Sequence, residues 1–95
     1  MKLTIIYREN SEHARAVTDF VEILRRRYPG KEAELLDIDT KQGADKAAVY
    51  GVTQYPALLL TNFEGRVYSQ WEGEPLPIVD EVGSQIQDER SAPTL

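Results

Sequence analysis

The segment 49–60, which reads Val-Tyr-Gly-Val-Thr-Gln-Tyr-Pro-Ala-Leu-Leu-Leu, constrains the fold of this chain more than any other stretch. Gly51 follows a short helical pattern, at a position where helices commonly end on a residue of left-handed conformation. Pro56 lacks an N–H and is therefore tolerated at the first residue of a strand. The apolar run that follows predicts a strand over residues 57–62. The segment thus predicts a helix end, a short loop and a strand that begins at a proline.

Strands and helices alternate along the rest of the chain. β-branched and aromatic residues predict a first strand over 2–7. A helix follows, because apolar residues recur at helical spacing, namely Val17, Phe20, Val21, Leu24 and Tyr28. Asn10 or Ser11 is its expected N-cap, and Pro29-Gly30 ends it. The remaining predicted elements are a strand at 33–39, a short helix at 44–50, the strand at 57–62, a turn with Gly65 at positive φ, a strand at 66–71 and a helix that starts at Pro75 or Pro77.

This order, β-α-β-α-β-β-α, predicts an α/β domain with a four-stranded mixed sheet and helices on both faces. A right-handed crossover makes the first two strands parallel, and a tight turn makes the last two antiparallel. We expect one domain over residues 1–87 and a disordered tail over residues 88–95. The contacts expected between the first helix and the sheet join two sets of apolar residues, Phe20, Val21 and Leu24 on the helix and Ile5, Leu36 and Leu59 on the sheet.

The last strand is expected to form an exposed edge of the sheet. Natural proteins commonly protect such edges with charged side chains, and Arg66, Glu72 and Glu74 are placed to do so. The strand alternates Val, Ser and Trp with Tyr, Gln and Glu, so the pattern leaves open which face Trp71 occupies.

The predicted arrangement resembles the core of the thioredoxin-like superfamily, which includes thioredoxins and glutaredoxins, without the extra N-terminal strand and helix. The resemblance covers about residues 2–87. It rests on a series of short matches: Leu36-Asp37-Ile38-Asp39, Tyr50-Gly51-Val52, Tyr55-Pro56, Leu58-Leu59, Gly65-Arg66-Val67 and Gly73. It implies a cis peptide bond between Tyr55 and Pro56, and a Tyr55 backbone that is free to pair with an extended peptide. Gly73 would let a partner backbone approach closely.

The redox chemistry of that superfamily cannot be carried over, because the chain contains no cysteine. The redox motif would fall between the first strand and the first helix. One alignment places Ser11 and Ala14 where the two cysteines would be, and a shift of one residue places Glu12 and Arg15 there. Thiol–disulfide exchange requires a thiolate, so neither alignment retains it. Whether these positions keep another function stays open.

Other catalytic or metal chemistry has little support in the sequence. Ser11 and His13 are two residues apart, and residues at that spacing on a helix do not face each other. We expect Ser11 to cap the helix, Glu12 to lie favourably at its positive end and His13 to be solvated. One histidine without cysteine leaves only carboxylates as metal ligands, and no glycine-rich phosphate loop is present. No cofactor or metal is therefore expected.

The charge distribution restricts the partners. The net charge is −5, and an acidic balance argues against nucleic acid. Residues 1–31 hold seven basic and four acidic side chains, and residues 32–95 hold four basic and twelve acidic side chains. The run Arg25-Arg26-Arg27 favours a helix C-terminus over a phosphate or partner site. No apolar run is long enough to span a membrane, and the first residues do not resemble a signal peptide, so we expect a cytoplasmic protein that does not bind membranes.

The leading functional hypothesis is a non-redox module that binds an unidentified protein or peptide. Its surface would consist of the loop at 8–14, the loop at 53–56 and Gly73. The candidate residues are Asn10, Ser11, His13, Gln54, Tyr55, Pro56 and Gly73. Aromatic side chains are common at binding hot spots, so Tyr7, Tyr55 and Trp71 could cluster at this surface, although we expect Tyr7 to be a packing residue.

Three alternatives remain. One is a structural or assembly protein, a monomer or weak homodimer that self-associates through the sheet edge. Another is a regulatory protein of the KaiB type, which Asn10-Ser11 followed by Ala14 and Ala16 resembles weakly. The last is a cysteine-free enzyme that uses a serine, as some glutathione transferases do.

Overall fold

The computed structural model describes residues 1–91, with side chains for residues 1–86. Its elements follow the predicted order, which confirms the α/β class. They are β1 (Lys2–Tyr7), α1 (Ala14–Arg27), β2 (Ala33–Asp37), α2 (Lys41–Tyr50), β3 (Ala57–Thr61), β4 (Val67–Glu72) and α3 (Val79–Ser91). No helix in residues 1–91 has both the length and the apolar character needed to cross a bilayer.

The four strands form one mixed sheet in the order β2-β1-β3-β4. β1 is parallel to β2, whereas the β1–β3 and β3–β4 pairs are antiparallel. This topology confirms that the first two strands are parallel and that the last two form an antiparallel hairpin. β3 is buried at all five positions, because strands flank it on both sides and helices cover both faces. A register shift at Leu60/Thr61 marks a bulge in the β3–β4 pair.

Two apolar clusters hold the helices on opposite faces of the sheet. α1 and α3 cover a cluster that comprises Leu3, Ile5, Tyr7, Val17, Phe20, Val21, Leu24, Leu58, Leu60, Val79, Val82 and Ile86. α2 covers the other, which comprises Ile6, Leu36, Ala47, Val52, Ala57 and Leu59. Successive strand side chains point to opposite faces, so the odd and even positions of β1 enter different clusters.

The predicted contacts of α1 were therefore partly wrong. Ile5 does share a cluster with the buried face of α1, but Leu36 and Leu59 lie under α2. The register explains the difference, because the residue opposite Ile5 on β3 is Leu58 rather than Leu59. The same alternation answers the question about Trp71, which pairs with Leu58 and packs against the cluster beneath α1 and α3.

The start of α1 also differs from the prediction. The helix begins at Ala14, and its N-cap is His13, whose side chain makes no capping hydrogen bond. Neither Asn10 nor Ser11 is the cap. The reason lies in a turn that precedes the helix, where the Ala14 N–H donates to the Ser11 carbonyl at 3.3 Å. The loop between β1 and α1 is consequently longer than expected.

α2 begins at Lys41, earlier than the predicted residue 44, because Thr40 caps it. The Thr40 hydroxyl oxygen accepts the Gly43 N–H at 3.1 Å. Gly43 lies directly against β2, since a Cβ on it would be 2.0 Å from the Asp37 carbonyl oxygen. At the other end of the helix, Gly51 has φ 67°, which confirms the predicted left-handed end.

α3 starts at Val79, after both candidate prolines, and continues to Ser91. Residues 88–91, the first part of the predicted tail, are therefore helical. Helix formation does not require apolar residues, because Glu and Arg have favourable intrinsic helix propensities. Residues 92–95 lie outside the described residues.

α1 and α3 are in close contact at one glycine. A Cβ on Gly83 would lie 2.3 Å from Cε2 of Tyr28, so the tyrosine ring occupies the space that a side chain would need. The Tyr28 hydroxyl donates to Asp80 at 3.0 Å, and Arg27 pairs with the same carboxylate at 3.2 Å. Desolvation and the hydrogen bond to Asp80 raise the pKa of Tyr28.

Candidate functional site

The candidate residues lie at one end of the sheet. β1 leads into the loop at 8–13 at the end where β3 begins, because Ile6 pairs with Ala57. β4 ends at the same place, since Ala57 also pairs with Glu72. The sheet therefore brings the first loop, the loop at 53–56 and Gly73 to one end.

The backbone of Tyr55 is open within this end of the sheet. The Tyr55–Pro56 peptide bond is cis, as is the Glu74–Pro75 bond. Pro56 is fully buried, and its carbonyl accepts the Gly73 N–H at 3.0 Å. Tyr55 is half-buried, with its side chain against the cluster under α2. Its own N–H and carbonyl form no hydrogen bond with any residue that the structure describes.

The two residues before Tyr55 are held by the carboxylate of Glu72. The N–H groups of Thr53 and Gln54 donate to its Oε1 at 2.9 and 3.2 Å. Nε2 of Gln70 donates to Oε2 at 2.7 Å. The bond from the Thr53 N–H makes the largest contribution to the lowered pKa of Glu72. Burial opposes this lowering, and the weaker effects of the bonds from Gln70 and Gln54 add to it.

Sequence reasoning missed this role of Glu72 and assigned the residue only to protection of the edge. The two donors precede the acceptor by eighteen and nineteen residues, a separation that no local pattern reports. The signal that could have found it is the β3–β4 register, which places the end of β4 beside the residues that enter β3.

The backbone conformation at Gly73 favours glycine. Its φ is 81°, in a region that other residues rarely adopt. A Cβ at this position would lie 2.6 Å from Oε1 of Gln54. Gly73 thus leaves room for the Gln54 side chain, which is exposed beside it.

The first loop is organised around the backbone of Arg8. The Arg8 N–H donates to Nε2 of His13 at 3.0 Å. The hydroxyl of Ser11 donates to the Arg8 carbonyl at 2.5 Å. The Arg8 guanidinium pairs with Asp39 at 2.6 Å, which ties the loop to the end of β2. His13 is therefore a half-buried loop residue rather than the solvated residue expected, while Asn10 is exposed.

This geometry does not support serine chemistry at Ser11. A nucleophile and its base must lie within hydrogen-bond reach of each other. Ser11 and His13 instead bond to the carbonyl and the N–H of the same residue, Arg8. The His13 ring lies near Tyr7, with ring centroids 6.4 Å apart. Burial, and then the nearby charges of Glu9 and Asp37, raise the pKa of Tyr7.

The aspartates at the end of β2 have structural roles. Oδ1 of Asp37 accepts the Asp39 N–H at 2.9 Å, and Asp39 pairs with Arg8. Among the described residues, no three histidine, aspartate or glutamate side chains come together as metal ligands.

Two surface grooves lie away from this site. One, of about 260 Å³, is at the opposite end of the sheet and is lined by Met1, Lys2, Leu3, Gly30, Lys31, Glu32 and Ile86. The other, of about 230 Å³, lies between α1 and β2 and is lined by Thr18, Val21, Glu22, Arg25 and Leu35. Neither groove contains a candidate residue from the sequence analysis.

No family model and no curated protein matches the sequence. Solved structures do match the fold. Thioredoxin 1 from Thermosipho africanus superposes with a TM-score of 0.70 at 13% identity, over 97% of each chain. Oxidised thioredoxin O2 from Arabidopsis thaliana superposes with a TM-score of 0.68 at 16% identity, and the match covers 92% of this chain and 72% of the thioredoxin chain. Fasciola hepatica thioredoxin superposes with a TM-score of 0.62 at 22% identity, and the match covers 93% of this chain and 77% of the thioredoxin chain.

These likenesses establish a thioredoxin-like fold, as the sequence indicated. The identities are too low to show more than the fold. The chain also lacks the cysteines on which thiol–disulfide exchange depends. The class is therefore a small thioredoxin-fold domain without cysteine.

Proposed function

We propose that this protein is a non-redox thioredoxin-fold module that binds an extended segment of a partner protein or peptide at the end of the sheet where β3 begins. The partner backbone would pair with Tyr55, and the loop at 8–13 and Gly73 would flank it. The absence of cysteine favours recognition over exchange chemistry, because nothing in the chain can attack a disulfide as a thiolate.

The observation that carries this proposal is the unpaired backbone of Tyr55. Its N–H and carbonyl have no partner among the described residues, although the neighbouring N–H groups of Thr53 and Gln54 are bonded to Glu72. An extended peptide beside Tyr55 could satisfy both groups, as in other cases where a peptide adds to exposed backbone. The Glu72 bonds limit the motion of the loop, which lowers the entropy lost on binding.

The alternative of self-association through β4 has less support. The bulge at Leu60/Thr61 interrupts the regular pairing of the hairpin, and bulges at an edge hinder pairing with another strand. Glu72, at the end of that strand, is occupied by Thr53 and Gln54. The antiparallel β3–β4 hairpin, which suits a thioredoxin fold, disfavours a KaiB-type role. The separate hydrogen bonds of Ser11 and His13 to Arg8 disfavour a serine enzyme.

The test begins with peptides selected from a random display library on the immobilised protein. One selected peptide is then synthesised in a series of versions, each with a single backbone nitrogen methylated. Methylation at the position that donates to the Tyr55 carbonyl should weaken binding about fivefold to tenfold, the equivalent of one hydrogen bond. Methylation at neighbouring positions that face solvent should have little effect.

Two variants locate the site. Glu72→Ala should weaken binding because it releases the loop, whereas Glu74→Ala, an exposed change two residues away without a described hydrogen bond, should not. The proposal is wrong if no selected peptide binds saturably, or if binding tolerates methylation at every position.

A further inference from the structure

The other open edge of the sheet, along β2, differs from the edge at β4. The Ile38 N–H donates to the Tyr7 carbonyl at 2.8 Å. The backbone N–H and carbonyl groups of successive strand residues point to alternate edges of the strand. Those of Leu36 therefore also point to β1, and those of Leu35 point to the open edge. The pairing of β2 with β1 continues from Ala33 to Asp37 without a register shift. No bulge or proline therefore protects this edge against an added strand.

A groove with a mixed polar and apolar lining lies beside this edge. It has a volume of about 230 Å³ between α1 and β2. Val21 and Leu35 supply its apolar lining, and Leu35 is 37% exposed although it lies opposite buried Ile5. A strand added to β2 would place alternate side chains on the side of α1, over this groove.

The three consecutive arginines of α1 have different environments. Arg26 pairs with Glu22 at 2.7 Å, and Arg27 pairs with Asp80 at 3.2 Å. Arg25 lines the groove and makes no ion pair with any residue that the structure describes. Glu22 also lines the groove but forms its ion pair with Arg26, so among the described residues Arg25 is the lining charge that has no ion-pair partner.

We propose that the edge of β2 is a second docking surface, separate from the Tyr55 site, for an extended peptide strand with an apolar residue and a carboxylate two positions apart. The peptide backbone pairs with the N–H and carbonyl of Leu35. Residues two apart in a strand point to the same face, so the apolar side chain covers Val21 and Leu35 while the carboxylate meets Arg25. The charge complementarity at Arg25 distinguishes this partner from a purely apolar one.

The probe is a fluorescein-labelled peptide of sequence Thr-Val-Thr-Asp-Thr with blocked ends, and fluorescence polarisation measures its binding. Arg25→Ala should weaken binding about fivefold, the change expected when an exposed ion pair is lost. Arg27→Ala is the matched control, because it removes a nearby exposed charge that pairs with Asp80 and does not line the groove, and it should change binding less than twofold. A peptide with Lys in place of Asp should bind about tenfold more weakly to the wild-type protein.

Amide hydrogen exchange then locates the peptide. Bound peptide should protect the Leu35 N–H and leave the Tyr55 N–H unprotected. The inference is overturned if the peptide does not bind saturably, if both arginine variants weaken binding equally, or if protection appears at Tyr55. It is also overturned if Leu35 becomes protected with protein concentration alone, since a second copy would then be the occupant. Both arginines are exposed, and unchanged circular dichroism spectra verify the fold of each variant.

Discussion

Removal of the Glu72 carboxylate should release the loop that precedes β3. In Glu72→Ala the N–H groups of Thr53 and Gln54 lose acceptors at 2.9 and 3.2 Å. A hydrogen bond to a charged group contributes about 1.5–3 kcal/mol, and exposure to solvent reduces such interactions to about 1 kcal/mol each. One such bond corresponds to about a fivefold change in an equilibrium constant.

Native-state hydrogen exchange measures this effect one amide at a time. Exchange of the Thr53 and Gln54 amides should accelerate about fivefold in Glu72→Ala. The Val52 amide, which donates to the Ala47 carbonyl at 2.9 Å, is the internal control and should not change. Glu74→Ala should leave all three rates as they are. Equal rates for Thr53 and Gln54 in the wild type and in Glu72→Ala would refute the reasoning.

The lowered pKa of Glu72 gives the same loop a pH dependence. Since its pKa is below the ordinary value of 4.5, the stabilisation is complete above that value and is lost as the pH falls through the lowered pKa. Exchange of the Thr53 and Gln54 amides, corrected for the intrinsic effect of pH, should therefore accelerate on acidification below about 4.5. In Glu72→Gln this acceleration should be absent, because an amide does not titrate in this range.

Further predictions concern stability and redox chemistry. Leu24 is fully buried, so Leu24→Ala should lower the free energy of unfolding, measured by urea denaturation, by about 2–5 kcal/mol. The control Glu22→Ala, at an exposed position, should lower it by less than about 1 kcal/mol. Gly83→Ala should lower the free energy of unfolding by about 1–3 kcal/mol, because the added methyl group overlaps the Tyr28 ring. In a Tyr28→Ala background the same substitution should lower it far less. An equal loss of stability in both backgrounds would exclude the overlap. A preparation free of thioredoxin should not accelerate the reduction of insulin by dithiothreitol, and turnover above the protein-free control would contradict the thiolate argument.

Local patterns in the sequence predicted the elements and their order. Apolar spacing identified α1 and its buried residues, and the run before Thr61 identified the central strand. Gly51 and Gly65 were correctly assigned positive φ because few other residues tolerate that conformation. The thioredoxin-like fold then followed from the order of the elements and the residues around Pro56.

Features that depend on register or on distant contacts could not be predicted in this way. The sequence shows that Leu58 and Leu59 are both apolar, but only the pairing with β1 decides which one lies under α1. The bonds from Thr53 and Gln54 to Glu72 join segments that meet only once the hairpin has formed. His13 replaced Ser11 as the N-cap because a turn in the preceding loop delays the helix.

The most direct test of the proposed function is amide hydrogen exchange at Tyr55 with and without a saturating selected peptide. In the free protein this N–H has no partner among the described residues, so it should exchange quickly. Peptide binding should protect it at least tenfold, the equivalent of about 1.4 kcal/mol. The amide of Phe63, a residue that is 93% exposed at the hairpin turn, should keep its exchange rate. A bound peptide that leaves the Tyr55 rate unchanged would contradict the proposed mode of binding.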